Sequence, residues 1–146
     1  MPDRCRHIAR ASEEYFLRFI ALIHTAFPND LVRGVIWLAI NNANVHHLLN
    51  DRARGDVYAS IDHPVPDAER RAVSRSAIAQ SLGVPLETCR RHINALIADG
   101  LCVEVPGGAV IVPAAQLKSP QIRELMVENL INLRRLLSRL EVKGEI

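Results

Sequence analysis

The architecture of this chain is set by residues 73–112, which read VSRSAIAQSLGVPLETCRRHINALIADGLCVEVPGGAVIV. Ser74 stands where its hydroxyl can accept from the free amides of a first helical turn, and the helix is expected to end near Leu82. Gly83 follows, and a residue that tolerates positive φ lets the chain reverse within a few residues. Pro85 then opens another helix. The pattern predicts two short helices joined by a tight turn.

The second of these helices is predicted to have a buried side and an exposed side. If Cys89 points inward and each residue turns by about 100°, the residues on its side are Ile93, Leu96 and Ile97. The opposite side then carries Glu87, Arg91, Asn94 and Ala98. The helix is expected to end at Gly100. A small hairpin should follow, with strands at Leu101–Val105 and Ala109–Val112 around the turn Pro106-Gly107-Gly108.

The exposed side of this helix carries groups that suit base edges in a major groove. Arg91 can donate to guanine O6 and N7, Asn94 can pair with the edge of adenine, and Glu87 can accept from cytosine N4. The residues expected to position phosphates are Arg75, Ser76, Thr88 and Arg90. The basic residues between positions 70 and 92 are Arg70, Arg71, Arg75, Arg90 and Arg91, which against Glu87 alone leave a local charge of +4. Local charge of this kind favours a nucleic-acid partner.

Composition sets wider limits on the function. The chain has 146 residues, is 49% hydrophobic and carries a net charge of only +2, which by itself indicates no polyanion partner. Its cysteines, Cys5, Cys89 and Cys102, form no C-x-x-C pair, so neither a disulfide framework nor a structural zinc site is predicted. No apolar run approaches the roughly 18 residues that span a bilayer. We expect a cytoplasmic protein without a cofactor.

The remaining segments are predicted to be helical around one long connection. A helix is expected over residues 12–27 behind Ser12 as N-cap, and a second from the capping residue Asp30 to about Leu49. Residues 50–72 are interpreted as a connection, with a short strand near Tyr58 left open. The last helix should run from Ser119-Pro120 to about Leu140. The expected domains are a helical extension at 1–29, the central domain at 30–114 and a terminal helix at 115–146.

The terminal helix carries a heptad pattern typical of a coiled coil. Apolar positions begin at Ile122 and, from the next one onward, recur at alternating four and three residues, at Met126, Leu130, Leu133, Leu137 and Leu140. A lone helix cannot bury so wide a stripe, so it must pack on the amino-terminal helices, on a second subunit, or on both. We expect these five residues to form a homodimer interface.

The central segment resembles the winged helix-turn-helix domains of bacterial transcription regulators. Its matching residues are the run Ile78-Ala79-Gln80-Ser81-Leu82-Gly83-Val84-Pro85, then Glu87-Thr88-Cys89-Arg90-Arg91-His92-Ile93, then Leu96-Ile97-Ala98-Asp99-Gly100-Leu101. The resemblance covers about a quarter of the chain and is to the cyclic-AMP receptor protein and isopropylmalate/isocitrate-lyase repressor superfamilies. The order of elements is also similar to that of the multiple-antibiotic-resistance repressor family.

The resemblance implies a mostly α protein with a three-helix core and a β-hairpin wing. It implies that Glu87, Arg91 and their neighbours enter the groove, and that Gly107 and Gly108 bring the wing close to phosphate. This chain departs from the pattern because its wing tip lacks Arg and Lys. The expected function is sequence-specific binding of double-stranded DNA by a homodimer on an inverted repeat, without catalysis.

Other interpretations stay open beside this one. A winged domain can serve as a protein-protein interaction module, with the arginine face meeting an acidic surface instead of DNA. The residues Asn41, Asn42 and Asn44 beside Trp37 fit either a small-molecule effector pocket or, more simply, a solvated helix face.

Metal and catalytic sites are not predicted. His46 and His47 point about 100° apart on a helix and cannot share one metal as an i, i+4 pair does. Ser60, Asp62 and His63 lie close in sequence, but no nucleophile motif accompanies them, so no enzyme is predicted. The role of His92 stays unassigned.

Overall fold

The structure, a computed structural model, describes residues 4–142 and 144, and it is mostly helical. In chain order its elements are α1 (Cys5–Ala26), α2 (Leu31–Val45), α3 (Arg52–Val57), α4 (Arg75–Leu82), α5 (Leu86–Ala98), β1 (Val103–Glu104), β2 (Val110–Ile111) and α6 (Pro120–Val142). Short 3₁₀ helices lie at His46–Leu48, Asp67–Glu69 and Ala114–Lys118. In this part of the chain, no helix has both the length and the hydropathy that crossing a bilayer requires. The prediction of a mostly α protein with a small hairpin is confirmed.

The chain divides into two compact units. One unit is continuous and spans Val32–Ser119, and the other joins the amino-terminal segment through Leu31 with the segment from Pro120 onward. The two terminal helices, which the sequence assigned to separate segments, therefore belong to one unit.

In the discontinuous unit, α1 packs along α6. Its buried apolar residues are Ala11, Ile23, Phe27, Ile122 and Leu125. Polar groups also join the two helices: the Tyr15 hydroxyl donates to Asn129 Oδ1 at 2.7 Å, and Glu14 forms an ion pair with Arg139. The predicted terminal helix is confirmed, and it has a partner within its own chain.

The predicted start of α1 is wrong. Ser12 lies inside the helix, and its hydroxyl donates to the carbonyl of Ala9 at 2.9 Å instead of accepting from amides ahead of it. Serine in a helix interior commonly bonds back to the preceding turn in this way. Ala11 is buried in the same turn, so the amphipathic pattern begins before the residue that was taken as the cap.

The connection at residues 50–72 contains a helix that was not predicted. Asp51 caps α3, because its side chain accepts from the backbone amide of Arg54 at 3.1 Å. Tyr58 follows directly as the C-cap residue of α3, so the strand considered near it is wrong. Helix α2 also ends at Val45, and the chain then tightens into the 3₁₀ turn His46–Leu48. The long connection is thus partly ordered by one local cap.

The continuous unit closes around a small antiparallel sheet. Strand β1 pairs with β2 in the register Val103↔Ile111 and Glu104↔Val110, so the strands are shorter than predicted. Val73 extends the sheet by one bridge, since its amide and carbonyl both bond Val110, at 3.0 and 2.9 Å. The largest fully buried side chains of this core include Ile36, Trp37, Ile40, Ile78, Ile93, Leu96, Val110 and Val112.

Candidate nucleic-acid interface

Helices α4 and α5 meet at a three-residue turn whose geometry follows from local sequence. The Ser74 hydroxyl accepts from the amide of Ala77 at 3.1 Å and caps α4, as predicted. Gly83 ends α4 at φ +68°, in the left-handed region that favours glycine. The amide of Val84 then bonds back to the carbonyl of Ala79 at 3.1 Å. The turn therefore depends on a glycine at its first position.

Helix α5 has the two sides that its periodicity predicts. Cys89, Ile93 and Leu96 have no exposed surface at all. The residues on the opposite side, Glu87, Arg91, Asn94 and Ala98, are exposed, whereas Ile97 is half-buried. The predicted orientation of α5 is confirmed. A helix anchored on one side and polar on the other has the form that a groove-binding helix needs.

The end of α5 is held by residues of α2. Arg33 forms an ion pair with Asp99, and its guanidinium also donates to the carbonyl of Ala95 at 3.1 Å. A cation here is favourable, because unpaired carbonyls leave partial negative charge at a helix C-terminus. The Trp37 indole donates to the carbonyl of Leu101, just beyond the C-terminal end of α5, at 3.1 Å. These bonds fix the direction of α5 relative to α2.

Arg75, predicted to contact phosphate, is largely enclosed by its own domain. Its side chain is only 16% exposed. The guanidinium donates to the Gly108 carbonyl at 2.7 Å, to Glu104 Oε1 at 3.2 Å and to Asn94 Oδ1 at 2.9 Å. Arg75 therefore links the start of α4 to the hairpin and to the exposed side of α5.

Arg70, which was counted among the local positive charges, is buried. It is 7% exposed, and its guanidinium donates to the Val65 carbonyl at 2.9 Å and to Asn41 Oδ1 at 2.9 Å. Burial lowers the pKa of Arg70, partly offset by the nearby charge of Asp67. The local charge of +4 therefore overstates what is exposed, because Arg70 supports the fold from inside.

The remaining predicted contact residues lie on the surface or near it. Arg71, Arg90 and Arg91 are exposed. Arg90 pairs with Glu87 at 3.3 Å, and the Glu87 side chain is 81% exposed. Ser76 is exposed with its hydroxyl 3.3 Å from that of Ser74, and Thr88 is half-buried. The exposed positive charge is thus smaller than the sequence indicated, and a carboxylate lies within it.

The hairpin turn contains the two glycines predicted for its tip. Gly107 has φ +97° and Gly108 has φ +89°, both in the left-handed region. Gly107 is exposed and Gly108 is half-buried. The nearest charged side chain along the hairpin is Glu104, which is acidic. The hairpin itself, residues 103–111, contains no Lys or Arg.

Asn44 holds this domain together, and the sequence reasoning missed it. Asn44 is fully buried, and its amide donates to the carbonyls of Arg71 at 2.8 Å and Val110 at 3.2 Å. Its Oδ1 accepts from the amide of Val112 at 2.8 Å. The interpretation of Asn44 as part of a solvated helix face is wrong. The signal was present, because Asn44 follows Ile40 by four residues on the buried side of α2.

The two cysteines of the continuous unit are core residues. Cys89 and Cys102 are buried. Burial raises the pKa of the Cys89 thiol, and it raises the pKa of Cys102 to about 12. Both thiols are therefore protonated near neutral pH, and a protonated thiol is a poor nucleophile and a poor metal ligand.

Other residues considered for chemistry form local structure. The Ser60 hydroxyl accepts from the amide of Asp62 at 3.2 Å, and the Ser60 carbonyl accepts from the amide of His63 at 3.1 Å. His46 is exposed and His47 is half-buried. Within residues 4–142 and 144, no three His, Cys, Asp or Glu side chains are grouped so that they could hold a metal ion.

The leucine series of α6 lies at the border between a buried and an exposed side. The buried seam of α6 runs through Ile122 and Leu125, whereas Leu133 and Leu140 are half-buried. Among the described residues of this unit, the large apolar side chains that remain exposed are Phe16, Leu17, Met126, Val127, Leu130, Ile131 and Leu137. We call these seven residues the apolar face. The predicted dimer residues Met126, Leu130 and Leu137 all belong to it.

Comparison with protein-family models gave no match for this chain, and comparison with curated proteins and with solved structures gave none either.

Proposed function

We propose that this protein is a sequence-specific DNA-binding transcription regulator with a winged helix-turn-helix domain, which binds an inverted repeat as a homodimer. One observation carries the proposal: α5 presents Glu87, Arg91 and Asn94 on an exposed side, while its opposite side is fully buried. A helix held in this way can enter a major groove without unfolding any part of its domain. In this proposal α4 and α5 are the helix-turn-helix, and the hairpin of β1 and β2 is the wing.

The roles of the side chains follow from their chemistry and exposure. Arg91 reads guanine through O6 and N7, and Glu87 accepts from cytosine N4. Arg90 and Arg71, both exposed, contact phosphates together with Ser76 and the free amides at the start of α4. Because Glu87 repels phosphate, this surface favours selectivity over affinity. We therefore expect weak binding to random DNA and a shallow salt dependence.

The apolar face is the proposed contact with a second copy of the chain. Its exposed apolar residues on α6 include Met126, Leu130 and Leu137, which lie four and seven residues apart and so share one side of the helix, and apolar residues grouped in this way often mark a protein contact. A two-fold dimer pairs the same surface with itself, and it presents two reading helices to half-sites about 34 Å apart or a multiple of that. Recognition of an inverted repeat therefore requires self-association.

A second candidate is a winged domain that binds an acidic protein surface instead of DNA. It is favoured by the hairpin, whose nearest charge is the acidic Glu104 and whose tip carries no Lys or Arg. A salt titration does not separate the two candidates, because both depend on the exposed arginines.

Selection from a pool of random DNA duplexes separates them. The regulator is expected to enrich a palindrome, whereas a protein adaptor enriches no sequence. The double variant Arg91→Ala with Asn94→Ala should enrich nothing in the same selection. Arg52→Ala, an exposed arginine of α3, serves as the matched control and should enrich the same palindrome as the wild type. Failure of the wild type to enrich any motif would refute the proposal.

A further inference from the structure

One guanidinium joins three parts of the candidate interface. Arg75 Nη1 donates to the Gly108 carbonyl at 2.7 Å and to Glu104 Oε1 at 3.2 Å, and Nη2 donates to Asn94 Oδ1 at 2.9 Å. We call this arrangement the Arg75 bracket. It lies beside the exposed side of α5, and with 16% of its side chain exposed Arg75 is itself poorly placed to reach a phosphate.

The bracket fixes how Asn94 presents its carboxamide. Arginine has five N–H donors and no acceptor, so the atom of Asn94 that faces it must be the oxygen. The Nδ2 amino group is then the end of Asn94 that stays available on the surface. A free carboxamide recognises adenine with both ends, because it accepts from N6 and donates to N7. Oδ1 keeps a second lone pair, but the guanidinium already bonded to it repels the partly positive N6–H of adenine, so the donating half of that pairing dominates.

We infer that Arg75 is a positioning residue that makes Asn94 act mainly as a hydrogen-bond donor to purine N7. This inference rests on the proposed function, since it concerns the same surface and names what it recognises. Adenine and guanine both present an N7 acceptor in the major groove, and neither cytosine nor thymine has this acceptor at that place. Asn94 therefore selects a purine over a pyrimidine at one position and distinguishes adenine from guanine only weakly.

The hairpin takes part in this selection through its own contacts. The Gly108 carbonyl and the Glu104 carboxylate hold the guanidinium from the side opposite Asn94, and Glu104 neutralises its charge. The wing thus acts on base recognition through Arg75, which explains how a hairpin without a cation contributes to DNA binding. The base preference of Asn94 is therefore expected to depend on Arg75.

The experiment measures binding of full-length protein to the duplex enriched from random DNA, with each purine replaced in turn by its 7-deaza analogue. For the wild type, 7-deaza replacement should lower affinity at the guanine that Arg91 reads and at one further purine position in each half-site. At that further position the loss should be about 2- to 12-fold, the range of one hydrogen bond, and adenine and guanine should be accepted within about 2-fold. Asn94→Asp keeps the acceptor for Arg75 but removes the donor, so sensitivity to the 7-deaza analogue should disappear at that position alone.

Removing the bracket should change the preference instead of abolishing it. In Arg75→Met the carboxamide is free to pair with both edges of adenine, and adenine should be preferred over guanine by about 5-fold or more at the same position. A purely structural role of Arg75 predicts weaker binding to all sequences with no change in the adenine-to-guanine ratio. Thermal unfolding checks that the variant is folded, and Arg75→Leu, which also lacks a donor, replaces it if Arg75→Met is not.

The possible outcomes separate the inference from the proposed function. If the wild type enriches a palindrome but Asn94 prefers adenine over guanine by 10-fold or more, the inference is wrong and the proposed function stands. If no duplex is enriched, both are wrong. NMR of the free protein then still tests the bracket alone, because the side-chain amide signals of Asn94 should shift in Arg75→Met and not in the remote control Arg134→Ala.

Discussion

The solvent-facing side of α5 and the apolar face of α1 and α6 differ in the kind of side chain that each leaves exposed. On α5, Cys89, Ile93 and Leu96 are fully buried, and past Leu86 at its first position the exposed residues are polar or small. On α6, two residues are buried, and Met126, Leu130 and Leu137 remain in water. The first surface is complete in one chain and suits a polar partner. The second surface would gain stability from a partner, because removing exposed apolar area from water lowers the free energy.

The two surfaces are expected to select their partners in different ways. Hydrogen-bonding groups such as those of Arg91 and Asn94 discriminate among partners by the pattern of donors and acceptors that they meet. An apolar surface discriminates mainly by shape, and a symmetric copy of itself is the partner that is always present. We therefore expect substitutions on α5 to change which DNA is bound, and substitutions on the apolar face to change how many chains assemble.

The largest expected effect tests whether the α5 surface depends on a rigid interior. Asn44→Ala removes the partners of two carbonyls and one amide inside the domain, so it should lower the free energy of unfolding by about 3 kcal/mol or more. Asn42→Ala, exposed on the same helix, should change it by less than about 0.5 kcal/mol. Urea unfolding measures both, and a cost below about 1 kcal/mol for Asn44→Ala would contradict the assigned role.

The next effect tests the apolar face. Leu130→Lys places a charge in the proposed dimer contact, and it should weaken self-association at least about 100-fold, because an unpaired ammonium is costly to bury. Gln121→Lys adds the same charge at an exposed position on the side of α6 opposite Leu130 and should leave the association unchanged. Sedimentation equilibrium against the monomer mass of 16.3 kDa measures both variants. A wild type that stays monomeric at every concentration would remove the basis of the dimer proposal.

A smaller effect separates reading from positioning on the other surface. Arg91→Ala should lose about 1 to 3 kcal/mol of discrimination at one base pair of the selected site. Arg90→Ala should weaken binding to specific and random duplexes alike, because phosphate contacts carry no sequence information. Binding isotherms on matched, mismatched and random duplexes distinguish the two patterns. Equal losses on every duplex for both variants would contradict the division of roles.

The smallest effect concerns the hairpin tip. Pro106→Lys supplies the cation that the exposed tip lacks, and it should strengthen DNA binding by about 1 kcal/mol or less at low salt. Pro106→Gln controls for the loss of the proline ring and should give no gain. If both variants bind equally, the tip lies away from the phosphates, and the wing acts only through Arg75.

Local signals in the sequence were enough to predict helix α5 and the turn before it. The Ser74 cap, the left-handed Gly83 and the inward spacing of Cys89, Ile93 and Leu96 each depend on residues within four positions of one another. The same kind of signal existed for α3 at Asp51 and was overlooked. At Ser12 a cap residue was present but the helix already extended past it, because capping preference does not state where amphipathic packing begins.

By itself, the sequence determined which helices form and which side of α5 is polar, because periodicity and capping act over a few residues. Only the tertiary structure determined that the side chains of Arg70, Arg75 and Asn44 bond to groups within the protein. Their partners lie up to 68 positions away in the chain, and a polar side chain gives no sign in sequence of whether it will meet water or a distant carbonyl. For α6, the heptad pattern showed a wide apolar stripe, but packing against α1 decided which part of it is buried.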